Sequence, residues 1–371
     1  MNQLMRKTTV YGENGFTLVE VMVAGAIAAI IVIAAFTILI TSNKATKVNE
    51  QTADTQQNVR LAMDLISQEI KLAGFNMTGT IGNCTVGNPP QSVPMVPLDN
   101  TPGGGVGTIN DTGPDSIRLV LPSFTSGNAG GIPVLSAPVS PGPGGASTIT
   151  LSAADVTAMT AAGMANGSVI SVGGSHPSRV TNIAATVLTL EKPIPPNSQS
   201  PVSFPTGTPV YLLQCVTYAI SNVAATCGGS DTCLTRNGVP MVDGIEDLQI
   251  AYGCDGCNIV APNPPMPNGV IDEQDGSGGT FTQGDLITNS SWTLTPMTPD
   301  KIRLVQVTVV ARQPQVDQGL SESSSKGTYT QGPVIVSDHN PSTDAGYNAT
   351  SYGQQRRRVL TRTIQVRNFE S

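Results

Sequence analysis

Charged residues are only 12% of this 371-residue chain and the formal charge is -7, which argues against a nucleic-acid-binding surface spread over the whole protein. The two histidines, His176 and His339, lie in no nucleophile or metal motif, so the sequence shows no constellation for catalysis. The 28 prolines are unevenly placed: residues 1–74 hold no proline and no cysteine, whereas the chain after Gly74 is rich in Gly, Pro, Ser, Thr and Asn. The first regime predicts one continuous helix, and the second, about 300 residues long, is enough to bury a sizeable core. An α+β protein with a stalk and a β-rich head is expected.

The helix opens on an apolar stretch. No residue from Val21 to Ile40 is charged, and at ~1.5 Å per residue such a run spans roughly 30 Å, the thickness of a bilayer hydrocarbon core. A secretory signal peptide is shorter and ends in a small-residue cleavage site, which Thr41-Ser42-Asn43-Lys44-Ala45 does not supply. A plain anchor explains Arg6 and Lys7 as cytoplasmic charges, although Lys44 and Lys47 on the other flank weaken that signal. Neither explains Glu20 at the entrance of the apolar run, where an unpaired charge is costly. Cleavage before Phe16 would create an α-amino group with a pKa of ~8, a cationic partner for a carboxylate four residues on, and the helix dipole favours that carboxylate too.

The run Gly15-Phe16-Thr17-Leu18-Val19-Glu20 resembles the prepilin processing motif of type IV pilins and type II secretion pseudopilins. The resemblance implies that residues 1–15 are a leader removed by prepilin peptidase, with cleavage between Gly15 and Phe16 and N-methylation of Phe16. It also implies that Glu20 pairs with the terminus of an adjacent subunit during assembly. The helix would then occupy residues 16–74, with 16–40 in the membrane or fibre core and 41–74 amphipathic. In the second part Val59, Ala62, Ile66, Ile70 and Ala73 recur at helical spacing. Arg60, Asp64, Ser67 and Lys71 take the opposite face, Arg60 and Asp64 being placed to pair, and Gly74 ends the helix.

Beyond the helix, β-branched runs between Pro and Gly clusters predict strands at 116–121, 168–172, 186–190, 210–220, 245–252, 301–312 and 359–366. Residues 86–115 and 126–147 read as loops. Val216-Thr217-Tyr218, Leu234-Thr235-Arg236, the run Val242 to Ile250 with Tyr252, Lys301 to Val307 and Thr361 to Asn368 are similar to the sheet of PilW-type minor pilins and J-type pseudopilins. The implied fold is type IV pilin-like, with a head formed by 75–125 and 210–371 and an inserted β module at 126–209. The implied function is that of a minor pilin that primes or caps a type IV pilus. Its partners would be other minor and major pilins, the prepilin peptidase and the inner-membrane assembly platform. It would wait in the inner membrane with its head outside the cytoplasm and then join the extracellular pilus. A J-like pseudopilin of type II secretion and a tip adhesin for DNA or surfaces are the alternatives.

Three polar groupings need a role. Cys84, Cys215, Cys227, Cys233, Cys254 and Cys257 are even in number and follow a membrane segment, which favours disulfides, while the last four would also suit a zinc site. Asn268, Asp272 and Asp275, with Asp255, echo the middle of a calcium loop, although Pro264 and Met266 stand where the first oxygen ligands belong; a solvated acidic turn is the other reading. Arg356, Arg357, Arg358, Arg362 and Arg367 form a basic cluster, read as a solvated flank of the last strand or as a charged tip. No cofactor is expected beyond that calcium reading, and nucleic acid is not an expected partner.

Overall fold

The computed structural model describes residues 15–87, 90–98, 112–123, 131–142, 144–195, 203–257, 268–272, 274, 281–288, 292, 297–316, 331–344 and 346–366. It divides into two units, Met1–Gln51 and Thr52–Ser371. Helix α1 (Leu18–Leu72) contributes residues to both. In the first unit every described residue of the helix up to Ser42 is exposed, and α1 is the one helix among the described residues long and apolar enough to cross a membrane. Hydroxyls within and beyond the apolar stretch bond back to their own helix, Thr37 to the Ile33 carbonyl and Thr41 to that of Thr37, so they present no unsatisfied donor to an apolar surrounding.

In the second unit, Val59, Ala62, Met63, Ile66, Ile70 and Ala73 are buried in the main core, as the helical spacing predicts. Two expectations for the opposite face do not hold. Ser67 is buried, close to Arg362, and Asp64 pairs not with Arg60 but with Arg362 at 2.8 Å, far away in sequence. Gly74 follows the helix at φ +76°, the left-handed conformation that glycine adopts most readily, and its N–H bonds to the Val120 carbonyl.

The strands, in chain order, are β1 (Thr85–Val86), β2 (Gln91–Ser92), β3 (Met95–Leu98), β4 (Ser116–Ser123) and β5 (Ala146–Thr150). After helix α2 (Ala153–Ala161) come β6 (Val169–Val172), β7 (His176–Ala184), β8 (Val187–Ile194), β9 (Val210–Ser221), β10 (Cys233–Arg236), β11 (Val239–Asp243) and β12 (Ile245–Cys254). The series ends with β13 (Ile302–Arg312), helix α3 (Ala349–Gly353) and β14 (Arg357–Gln365). Each strand expected from the sequence is present. β3 and the start of β5 fall in segments read as loops, and α2 falls in the segment read as a β module; its cap is Ser152, whose hydroxyl accepts the Asp155 N–H.

Two large sheets carry the unit, beside the small antiparallel pair β1-β2. The larger runs β11-β10-β9-β6-β7-β8-β5, with β4 on β9 and β3 on β4. Long strand β9 holds it together: β4 lines one edge over Leu212–Tyr218, while the other edge pairs first with β6, over Val210–Leu213, and then with β10, over Tyr218–Ser221. The segment 126–209 therefore continues the head's sheet through β6, yet it packs a separate hydrophobic cluster around Leu135, Ile149, Met159, Ile170, Leu188 and Phe204. The smaller sheet is β12-β13-β14, antiparallel, and its buried face joins α1 in the main core.

Candidate functional site

The first candidate site is the start of α1. Thr17 stands as N-cap and Glu20 as the third helical residue, and each satisfies the other. The Glu20 carboxylate accepts the Thr17 N–H at 2.9 Å and the Thr17 hydroxyl at 3.0 Å, while that hydroxyl accepts the Glu20 N–H at 3.3 Å. This is a capping box, Thr-x-x-Glu, and the sequence carried its signature unread. All the Glu20 side-chain bonds run through Oε2, which leaves Oε1 free. Phe16 is 86% exposed, and the large apolar side chains from Leu18 to Ile40 are all at least half exposed. At ~1.5–3 kcal/mol for each such side chain fully buried, covering this surface is worth on the order of tens of kcal/mol. Gly15 and Phe16 are described; the basic leader before them lies outside the described residues.

The cysteines pair as three disulfides, Cys84–Cys215, Cys227–Cys233 and Cys254–Cys257, and no free cysteine remains. The zinc reading fails because its four sulfurs are bonded to one another in two separate places. Cys84–Cys215 ties the segment after α1 to the centre of β9.

The acidic turn is organised by its own backbone. Asp255, almost fully buried, accepts the Asn268 and Gly269 N–H groups at 2.8 and 2.9 Å; Asp272 accepts the Cys257 N–H; and the Asn268 amide oxygen accepts the Val270 N–H. Asp275 lies outside the described residues, and among those described no cluster of three or more His, Cys, Asp or Glu is arranged to hold a metal. The arginines are dispersed as well. Arg357 is buried and forks onto Glu246 at 2.5 and 3.0 Å, Arg362 holds Asp64, Arg358 is exposed, and Arg367 lies outside the described residues.

Two buried polar groups escaped the sequence reading. Glu69 of α1 accepts the Tyr218 hydroxyl at 2.6 Å and Arg236 Nε at 3.1 Å, which docks the helix on β9 and β10; burial and the Glu69 hydrogen bond push the Tyr218 phenol well above its ordinary range. His339 ends a tight hairpin begun at Val336 and turned through Ser337 at φ +52°. Its Nδ1 lies 2.7 Å from Asp247 and its Nε2 3.0 Å from Asp344. Burial pushes this imidazole down, but the hydrogen bonds and charges of Asp247, then Asp344, more than offset it and lift the pKa to about 9. Neither group had a sequence signal, since Glu69 meets Tyr218 across 149 residues and His339 meets Asp247 across 92.

An apolar helix opening on a processing-type motif, followed by a disulfide-bearing β head, is the layout of a type IV pilin. The family comparisons agree: the prokaryotic N-terminal methylation motif matches residues 11–36, and type IV pilus-assembly protein W matches residues 212–368. The two matches together support a type IV pilin of the PilW type. Comparison with curated proteins and with solved structures returns no match. The first match contains Gly15, Phe16 and Glu20; the second begins within β9, closes beyond β14 and leaves out residues 126–209. Pilin-family domains are structural, and the chain takes part in type IV pilus assembly, in a membrane context fitted by its apolar helix.

Proposed function

We propose that this chain is a minor pilin that primes or caps a type IV pilus, and that residues 15–20 are its processing and assembly site. Prepilin peptidase cleaves between Gly15 and Phe16, the new Phe16 amine is methylated, and the helix waits in the inner membrane with its head outside the cytoplasm. The observation that carries this reading is Glu20. It is the single charge in the exposed, apolar stretch of the helix up to Asn43, and the Thr17 cap holds its carboxylate at the helix start through Oε2, leaving Oε1 free. An ammonium at the terminus of a neighbouring pilin would neutralise it there, and packing against neighbouring helices would keep the apolar surface out of water once the helix passes from the bilayer to the fibre core. The three disulfides suit a head that matures in an oxidising compartment.

Glu20→Ala tests this. Processing should persist, read as a methylated Phe16 terminus by mass spectrometry, while incorporation into pili falls. Normal piliation in that variant would refute the pairing role, and an intact Met1 in assembled fibres would refute the processing.

A further inference from the structure

Strand β9 borders an opening in the larger sheet. One of its edges is paired by β6 up to Leu213 and by β10 from Tyr218, which leaves residues 214–217, roughly 13 Å of strand, without a neighbouring strand on that side. The opening is a groove of about 730 Å³, inside the ~300–1,000 Å³ range of small-ligand sites. Asn83, from the segment after α1, and Asn166, from the turn between α2 and β6, stand on its banks. Arg179 ties those banks together, donating to the Thr80 carbonyl at 3.3 Å and to the Gly167 carbonyl at 2.8 Å, and Glu191 meets its charge at 3.3 Å.

Register turns one backbone residue into this groove. Val120, opposite Cys215, donates its N–H to the Pro94 carbonyl and accepts the Gly74 N–H, so it faces away from β9, and Cys215 in turn faces away from β4. Thr217, two residues on, faces the same way, but Asn237 closes it: Asn237 Oδ1 accepts the Thr217 N–H, and the Asn237 N–H bonds to Thr217 O, both at 2.8 Å. Nothing among the described residues bonds the N–H or C=O of Cys215 on this side. The side chains around it keep hydrogen-bonding capacity as well. Asn237 retains Nδ2; Gln214 retains Oε1, because its Nε2 donates to Ala162 O; and the Asn83 and Asn166 amides bond no described residue.

These groups select the ligand. None of the described residues lining the groove is charged, so it offers no counter-charge to a phosphate or to an acidic or basic peptide. Its aliphatic members, Ile81, Val169 and Leu213, are buried in the cluster beneath, which leaves little apolar surface for a greasy ligand. An added strand would run into β6 at one end and β10 at the other, so the groove takes a compact molecule. We propose that it binds a neutral carbohydrate, with two vicinal ring hydroxyls on Cys215. The N–H and C=O of an extended residue project side by side; one hydroxyl accepts from the first while its neighbour donates to the second. The asparagine and glutamine amides, which offer both donors and acceptors, meet the remaining hydroxyls. The inference goes beyond the assembly reading and does not need Glu20.

Saturation-transfer NMR tests it with the full-length chain in micelles of a detergent that has no sugar headgroup. The probes are maltotriose, cellotriose and mannotriose at millimolar concentration, each also supplied after periodate cleavage of its vicinal diols and borohydride reduction. At least one intact trisaccharide should bind and slow hydrogen exchange at the Cys215 amide, and its cleaved counterpart should not. Asn83→Ala combined with Asn166→Ala changes two exposed side chains that hold nothing in the fold, and should weaken binding about tenfold or more. Asn83→Trp, which fills the groove, should abolish binding; the alanine pair answers the question even if the tryptophan variant misfolds. No binding of any of the three, equal binding of the cleaved sugars, or affinity unchanged in the folded alanine pair would each overturn the proposal. Glu20→Ala leaves the groove intact and should bind as wild type does, which distinguishes failure here from failure of the assembly reading.

Discussion

Replacing His339 by Gln should uncouple the 331–344 segment from β12 in a pH-dependent way. Both ring nitrogens face carboxylates, Asp247 at 2.7 Å and Asp344 at 3.0 Å, and a neutral imidazole has only one N–H to offer. The geometry therefore requires the imidazolium. A pKa lifted from the ordinary value of 6.5 to about 9 corresponds to an upper bound of roughly 3 kcal/mol. Asp344 is 33% exposed and its share is screened by solvent, so about 2 kcal/mol is the working figure. Because the folded pKa lies above the unfolded one, this stabilisation is complete below pH ~6.5, declines as pH rises and is gone above about 9. Denaturant unfolding of wild type and His339→Gln across pH 6 to 10 measures it: the difference between the two should shrink toward high pH. A difference that stays constant over that window, or a His339 resonance titrating near its ordinary value, would refute the reasoning.

Glu69→Ala should cost about 2–4 kcal/mol, because it leaves half-buried Arg236 and the buried Tyr218 hydroxyl without their acceptor; chemical denaturation checks this, and a loss below about 0.5 kcal/mol contradicts it. Arg357→Lys keeps the charge but loses the fork onto Glu246 and the stacking over Tyr352, at 3.2 Å from the ring centroid, and should lower stability by about 2–3 kcal/mol in the same assay. Removing Cys84–Cys215, which spans 131 residues, should destabilise more than removing Cys227–Cys233, which spans 6, by about 3 kcal/mol if loop closure in the unfolded chain dominates. Thermal scans of the two double-serine variants decide that order.

What was legible in the sequence was whatever repeats locally. Apolar spacing along α1 placed Val59 to Ala73 in the core, and alternating β-branched runs located β4, β9, β12 and β13 closely. Proline misled where strands tolerate it: Pro97 in β3 and Pro240 in β11 sit on edge strands, so composition alone read the first of these as loop. Helix α2 was hidden because a short Ala-rich turn inside a Gly- and Pro-rich segment has no long period to detect. Pairings between distant residues left no trace at all. Asp64 with Arg362, Glu69 with Arg236 and Asp247 with His339 are fixed by how α1 and the 331–344 segment pack on the strands, which no single sequence displays.

The same contrast explains the two ends of the molecule's logic. At residues 15–20 a short motif is sufficient, because the chemistry it serves is local: a scissile junction, a cap and a carboxylate within one helical turn. The charge at Glu20 has two physical tasks that do not exclude each other, since the cap uses Oε2 and an incoming ammonium can meet Oε1. A variant that keeps the cap but not the charge separates them. Glu20→Gln retains an acceptor for the Thr17 N–H, so the first turn should persist by amide exchange in micelles, while assembly should fall as it does in Glu20→Ala. Assembly rescued by glutamine would mean that the cap, not the charge, is what the fibre requires.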